Sequence, residues 1–164
     1  MKFETYTWNN YVFRQAARED CSIVHELMLE LSDYENMQSE FKSTPKDLEN
    51  ILFDLHCGDA ILVYDNESDQ HIGVMLLSYN YSSFKGKPGI FIEDFYIREK
   101  KRGCGIGTQM ISRLVKLSHD NGFGRIDWMC LKNNKPSMEF YEKTIKAKQM
   151  NEWVVFRLDE KQFC

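Results

Sequence analysis

The sequence predicts an α/β fold, a mixed central β-sheet flanked by helices. Short β-rich runs alternate with helical segments along the chain. A strand, helix and strand in succession near the middle call for parallel neighbours, and a polar turn between two β-rich runs calls for an antiparallel hairpin. The elements follow in order. Residues 1–10 are mixed polar and aromatic and are expected to form a loosely held N-terminal arm, leaving 11–164 as a single domain. Residues 11–16 read as a strand from their β-branched and aromatic content. In 20–32, Ile23, Val24, Leu27, Met28 and Leu31 recur at the spacing of one helical face.

After a polar stretch a second helix is expected from Thr44 to about Leu55. Thr44 can cap the amide three residues on, Pro45 fits the first helical position, and Asp47 favours the positive end of the dipole. Residues 59–64 and 72–81 form the hairpin, with turn chemistry between them. Residues 90–97 are a strand apolar on both faces except for Glu93 and Asp94. The glycine-rich turn 102–107 opens a helix carrying Met110, Ile111, Leu114, Val115 and Leu117. A strand over 125–131, a short helix over 136–144 and a last pair of strands over 147–158 complete the prediction.

Length and composition narrow the function. The 164 residues, 43% hydrophobic, suit one packed domain. The net charge of −4 argues against a broad footprint for nucleic acid or anionic lipid and leaves room for a cationic partner. Cys21, Cys57, Cys104, Cys130 and Cys164 are scattered, with no C-x-x-C pair, against a disulfide framework and against a zinc site. The four histidines have no metal spacing, so no metal is expected. The longest apolar run near any candidate span, Ala60 to Tyr64, is far short of a membrane helix, and Met1 to Glu4 open no signal peptide. A soluble, cytoplasmic protein is expected.

Three local signals carry chemistry. Arg102-Gly103-Cys104-Gly105-Ile106-Gly107 lies between a strand and an amphipathic helix, where glycines let backbone amides point inward and the helix start adds positive charge. The turn is built to hold a pyrophosphate, the alternative being an ordinary tight connection. It is neither a Walker A loop nor a dinucleotide fingerprint, since Thr108-Gln109 and Met110 stand where those motifs need Lys-Ser/Thr or glycine. Glu93-Asp94 inside an apolar strand is the second signal. Adjacent strand residues face opposite sides, so one carboxylate meets a packed layer unless the strand opens onto a cleft. The pair is then a base or an anchor for a cation, or else a buttressed structural pair. Third, Asn134 and Tyr141 around a helix start can face one cleft as amide and proton donor, or simply cap and pack.

Together, in this order, these signals resemble the GNAT acetyltransferases, whose R/Q-x-x-G-x-G/A turn is matched by Arg102, Gly105 and Gly107. Asp20-Cys21, Glu30 to Glu35, Ile92-Glu93-Asp94-Phe95, Asn134 and Phe140-Tyr141 are similar to the diamine (spermidine/spermine) and thialysine acetyltransferase branch, over nearly the whole chain from Arg14. The resemblance implies the GNAT fold, with 11–164 as the N-acetyltransferase domain, acetyl-CoA as co-substrate, a small cationic amine as acceptor, and a homodimer. It also implies the site residues. The backbone of Phe95, Tyr96 and Ile97 takes the pantetheine arm, Arg102, Gly103, Cys104, Gly105, Ile106 and Gly107 take the pyrophosphate, and Asn134, Ser137 and Tyr141 contact the cofactor. Tyr34, Glu35, Glu93, Asp94, Asp127, Trp128, Met129 and Glu152 line the amine side. Phe84, where the polyamine enzymes tend to carry tryptophan, and Lys132-Asn133, in place of their acidic-aromatic pair, leave both diamines and thialysine-like amino acids open.

A mechanism follows from that resemblance and from acidities. An amine with a pKa near 10.4 arrives as a cation, so Glu93, directly or through water, is the expected base. Tyr141 is the expected acid for the leaving thiolate. The rival readings are a protein lysine or amino-terminal acetyltransferase, and a CoA-binding module without turnover; the latter has no need of both Glu93 and Tyr141.

Overall fold

The computed structural model describes residues 2–163, so Met1 and Cys164 lie outside the described residues. The chain divides into two compact units, Met1–Leu131 and Lys132–Cys164.

The first unit is a six-stranded sheet in sequential order, β1 (Tyr6–Trp8), β2 (Tyr11–Gln15), β3 (Gly58–Asp65), β4 (Gln70–Ser82), β5 (Lys87–Ile97) and β6 (Arg125–Trp128). Neighbours are antiparallel from β1 to β5, and β6 is parallel to β5. That single parallel pair requires a crossover, which the helix α3 (Ile106–Asp120) supplies. Helices α1 (Cys21–Glu35) and α2 (Pro45–Glu49) lie between β2 and β3 in the chain. The mixed sheet and its flanking helices are therefore as the sequence predicts.

Burial explains the arrangement. On β3 and β4, Ala60, Leu62, Val74 and Leu76 pack with Val24, Leu27, Leu48 and Leu52 of the α1–α2 layer. The alternate residues Ile61, Val63, Met75 and Leu77 are equally buried, as are Ile106, Met110, Ile111 and Leu114 on α3. Central strands buried on both faces need a helical layer on each side, which is why these strands read as continuous apolar runs. The start of α2 is set locally. Thr44 and Asp47 exchange hydrogen bonds, the Asp47 amide to Thr44 Oγ1 at 3.3 Å and the Thr44 amide to Asp47 Oδ2 at 2.9 Å, with Pro45 in the first turn.

Three expectations are corrected. Within the N-terminal arm, Tyr6–Trp8 forms an edge strand and Phe3 is buried, because Tyr6 stacks on Phe13 at 4.6 Å and gives the arm an apolar anchor. Strand β6 ends at Trp128 rather than reaching 131. Among the described residues no strand forms over 147–158, where Trp153, Val154, Val155 and Phe156 are all more than 70% exposed. Strand composition reflects fit to a pleated, half-buried surface, and a segment without a ladder partner has no such surface to fit.

The second unit, taken by itself, begins with the helix α4 (Lys135–Glu139), whose last turn continues as a π-type turn over Phe140–Thr144. The rest is irregular to a short 3-10 turn at Glu160–Gln162.

Candidate active site

The ladder between β5 and β6 ends at the pair Ile92 and Trp128, while β5 runs on to Ile97. Two parallel strands thus part at the level of Glu93, opening the crevice where ligands collect in α/β sheets. The expected pantetheine residues Phe95, Tyr96 and Ile97 lie on this continuation of β5.

A bulge sits at the same place. Leu76 pairs with Asp94 and Leu77 with Ile92, so Glu93 is the extra residue with no partner across β4. The sequence argument that adjacent carboxylates face opposite sides assumed unbroken alternation, and the bulge breaks it. Glu93 is exposed and accepts a hydrogen bond from the Ser78 hydroxyl. Asp94 is largely buried and, with Glu35 from the C-terminal end of α1, lines a cleft of about 160 Å³. Its lining combines the carboxylates of Glu35, Glu40 and Asp94 with Met28, Leu31, Met37 and Phe41.

Electrostatics in the cleft follow from that burial. Asp94 is pushed up to about 6 by desolvation, with the charges of Glu93 and Glu35 adding to it, and burial also raises Glu35. Because the folded chain holds this proton more tightly than the unfolded chain, stability from Asp94 is fully present below its ordinary value of 3.8. It is lost as the pH rises through about 6. Asp94→Asn is therefore expected to be more stable than the parent at pH 7, on the order of 2 kcal/mol, with the difference vanishing towards pH 4. Thermal melting across that range checks it, and a pH-independent difference contradicts it.

The glycine turn follows β5. Gly103 and Gly105 have φ of +75° and +84°, conformations that favour glycine, and Gly105 caps the N-terminus of α3. The first amides of α3 are thereby presented without intrahelical partners, the geometry that receives a phosphate. The turn is held from outside. The Lys101 ammonium lies 2.6 Å from the buried Asp65 carboxylate, and Arg102 Nε donates to the Ile97 carbonyl at 2.8 Å. The Arg102 guanidinium lies 4.2 Å from the ring centre of Tyr34 and 5.5 Å from that of Tyr96. The end of α1, expected on the amine side, thus touches the residue that opens the expected pyrophosphate turn. Cys104 is exposed within the turn, and Ile106 and Gly107 start the helix.

On β6, Asp127 pairs with Arg125 at 2.9 Å, Trp128 is half-buried, and Met129 beyond the strand is exposed. In the second unit Asn134 caps α4, its side-chain oxygen accepting from the Ser137 amide at 3.3 Å. The Tyr141 ring lies 5.4 Å from that of Phe140, and Glu152 is exposed in a turn. Capping is thus a role that Asn134 does fill. Among the described residues there is no group of three His, Cys, Asp or Glu placed to hold a metal ion, and no helix is long and apolar enough to cross a membrane.

Sequence reasoning missed Ser78, Met37, Glu40 and Phe41. The last three lie in the aperiodic stretch after α1, which carries no pattern to place it beside β5.

The chain has recognisable relatives. Residues 22–145 match the family described as the acetyltransferase (GNAT) family. Thialysine N-epsilon-acetyltransferase of Bos taurus is 28% identical over 158 residues, covering 90% of this chain and 92% of that protein. An L-ornithine N5-acetyltransferase of Arabidopsis thaliana is 35% identical over 86 residues, 52% of this chain and 37% of its own length. Among solved structures, an aminoglycoside acetyltransferase from an uncultured soil metagenomic sample, in complex with sisomicin, has a TM-score of 0.76 at 15% identity. It covers 92% of this chain and 98% of that one.

Proposed function

The chain belongs to the acetyltransferase (GNAT) family, and from that premise we propose that it transfers the acetyl group of acetyl-CoA to the primary amine of a small cationic substrate by direct attack in a ternary complex. The acceptor is a diamine or polyamine, or a thialysine-like amino acid. The observation that carries this reading is the cleft beside the parting strands that is lined by Glu35, Glu40 and Asp94 together with apolar side chains. Carboxylates attract an alkylammonium, and the methionines, leucine and phenylalanine suit its aliphatic arm.

The residues present suit the cofactor. The left-handed Gly105 and the first amides of α3 receive the pyrophosphate, and the end of β5 takes the pantetheine arm; Asn134 and Ser137 are assigned to the cofactor by the family resemblance alone. Acetyl-CoA supplies an activated thioester. Glu93, oriented by Ser78, accepts the proton of the ammonium directly or through water. The freed nitrogen bonds to the acetyl carbon, backbone amides of β5 steady the developing oxyanion, and the carbon–sulfur bond breaks. Tyr141 gives its proton to the departing thiolate, and the second proton of the acylated nitrogen is lost to solvent, from which the tyrosinate is reprotonated. Glu35 and Asp94 hold the far charge of the amine. No covalent intermediate on the enzyme is needed, so Cys104 and Cys130 are bystanders. A cytoplasmic homodimer is part of the same reading, and the exposed apolar run from Trp153 to Phe156 supports association of chains.

Two variants separate binding from chemistry. Glu35→Gln is expected to raise the KM for the amine about tenfold with little change in kcat, because it removes one charge-assisted contact. Glu93→Gln is expected to lower kcat by about 10² or more, because it removes the base. Steady-state kinetics in both substrates decide it; equal effects of the two variants on KM alone would return Glu93 to the role of an anchor.

A further inference from the structure

The N-terminal hairpin brings an aromatic ring to the glycine turn. Strand β1 pairs with β2 so that Trp8 lies across from Tyr11, the two rings 6.1 Å apart, and the tight turn between them passes through Asn9 at φ +52°. The hairpin is fastened to α3. The Tyr6 hydroxyl donates to the Gln109 carbonyl at 3.3 Å, and the Arg113 guanidinium lies 5.1 Å from the Tyr6 ring centre and 3.7 Å from the Glu4 carboxylate. Held in this way, the Trp8 indole stands against Gly105. A side-chain carbon at that glycine would lie 3.2 Å from Trp8 Cη2 and 3.8 Å from Cζ2. The indole is half-buried, so part of its surface remains open beside the turn.

We propose that Trp8 is a further cofactor-binding residue, its indole being the surface on which the nucleotide end of acetyl-CoA rests. The proposal depends on the reading of 102–107 as the pyrophosphate turn. In coenzyme A the group attached beyond the pyrophosphate is the ribose with its adenine. With the pantetheine arm assigned to the end of β5, the ring against Gly105, at the far end of the turn from β5, is left to the nucleotide side of the pyrophosphate. Every base offers a π-face to an aromatic side chain, and stacking needs no charge, which suits a chain whose net charge is −4. A hydrogen-bonded and ion-paired hairpin keeps the ring in place before the ligand arrives, which lowers the ordering cost of binding.

The test compares acetyl-CoA with acetyl-pantetheine, which carries the same thioester but no pyrophosphate or nucleotide. Trp8→Ala is expected to raise the KM for acetyl-CoA about tenfold and to leave that for acetyl-pantetheine unchanged, the effect of losing one base–aromatic stack. Trp8→Phe, which keeps a ring, is expected to fall between. Coenzyme A should also quench tryptophan emission in the parent more than in Trp8→Phe, a readout that does not depend on the alanine variant folding. Equal changes with both thioesters, no change with either, or equal quenching overturns the proposal. Gly105→Val, measured alongside, separates the two claims. If it weakens acetyl-CoA binding while Trp8→Ala does not, the turn stands and Trp8 is removed from the site. If it leaves binding unchanged, both fall.

Discussion

Tyr141→Phe is expected to lower kcat by about 10² to 10⁴ while leaving the affinity for acetyl-CoA largely intact. The substitution keeps the aromatic ring and with it the contact to Phe140, and the backbone carbonyl of residue 141 still accepts from the Ala147 amide at 2.9 Å. Only the hydroxyl is lost. A thiol of pKa about 8.5 leaves as a poor base at pH 7, and a phenol of pKa about 10 delivers a proton to it only if held in place, so removal of that hydroxyl falls on the breakdown step. Steady-state turnover together with calorimetric binding of acetyl-CoA checks the split. Parental turnover in the variant would leave Tyr141 with a packing role alone.

Gly105→Val is expected to weaken acetyl-CoA binding by about 10² or more through two separate costs. A β-branched residue is strongly disfavoured at the φ of +84° found here, and its side chain enters the space beside Trp8. Both act on the turn that presents the first amides of α3. Circular dichroism establishes that the variant is folded, and calorimetry reads the affinity. An unchanged affinity in a folded variant contradicts the phosphate assignment.

What could be read from the sequence was what local physics fixes. The capping box at Thr44 and Asp47, the amphipathic α3 and the glycine turn each depend on residues within a few positions of one another, and all three appear as expected. The bulge at Glu93 was invisible. It arises from the register of β4 against β5, and it decides that Asp94 rather than Glu93 lines the cleft with Glu35. Glu40 and Phe41 were missed because the stretch after α1 carries no periodicity. Trp8 was missed because a strand of three residues is shorter than any pattern can declare. The opposite failure occurred at 147–158, where valines and aromatics promised strands and the described residues give them no partner.

The central claim is that this chain acetylates a small cationic amine, and the most direct measurement is an acetyl-transfer assay with acetyl-CoA against spermidine, putrescine, thialysine, lysine and a lysine peptide. The account predicts that one of the free diamines, polyamines or thialysine-like amino acids is the fastest acceptor, with its KM rising as salt screens the carboxylates over about 8 to 10 Å. Transfer to the lysine peptide faster than to every free amine, or no transfer to any of them, would contradict it.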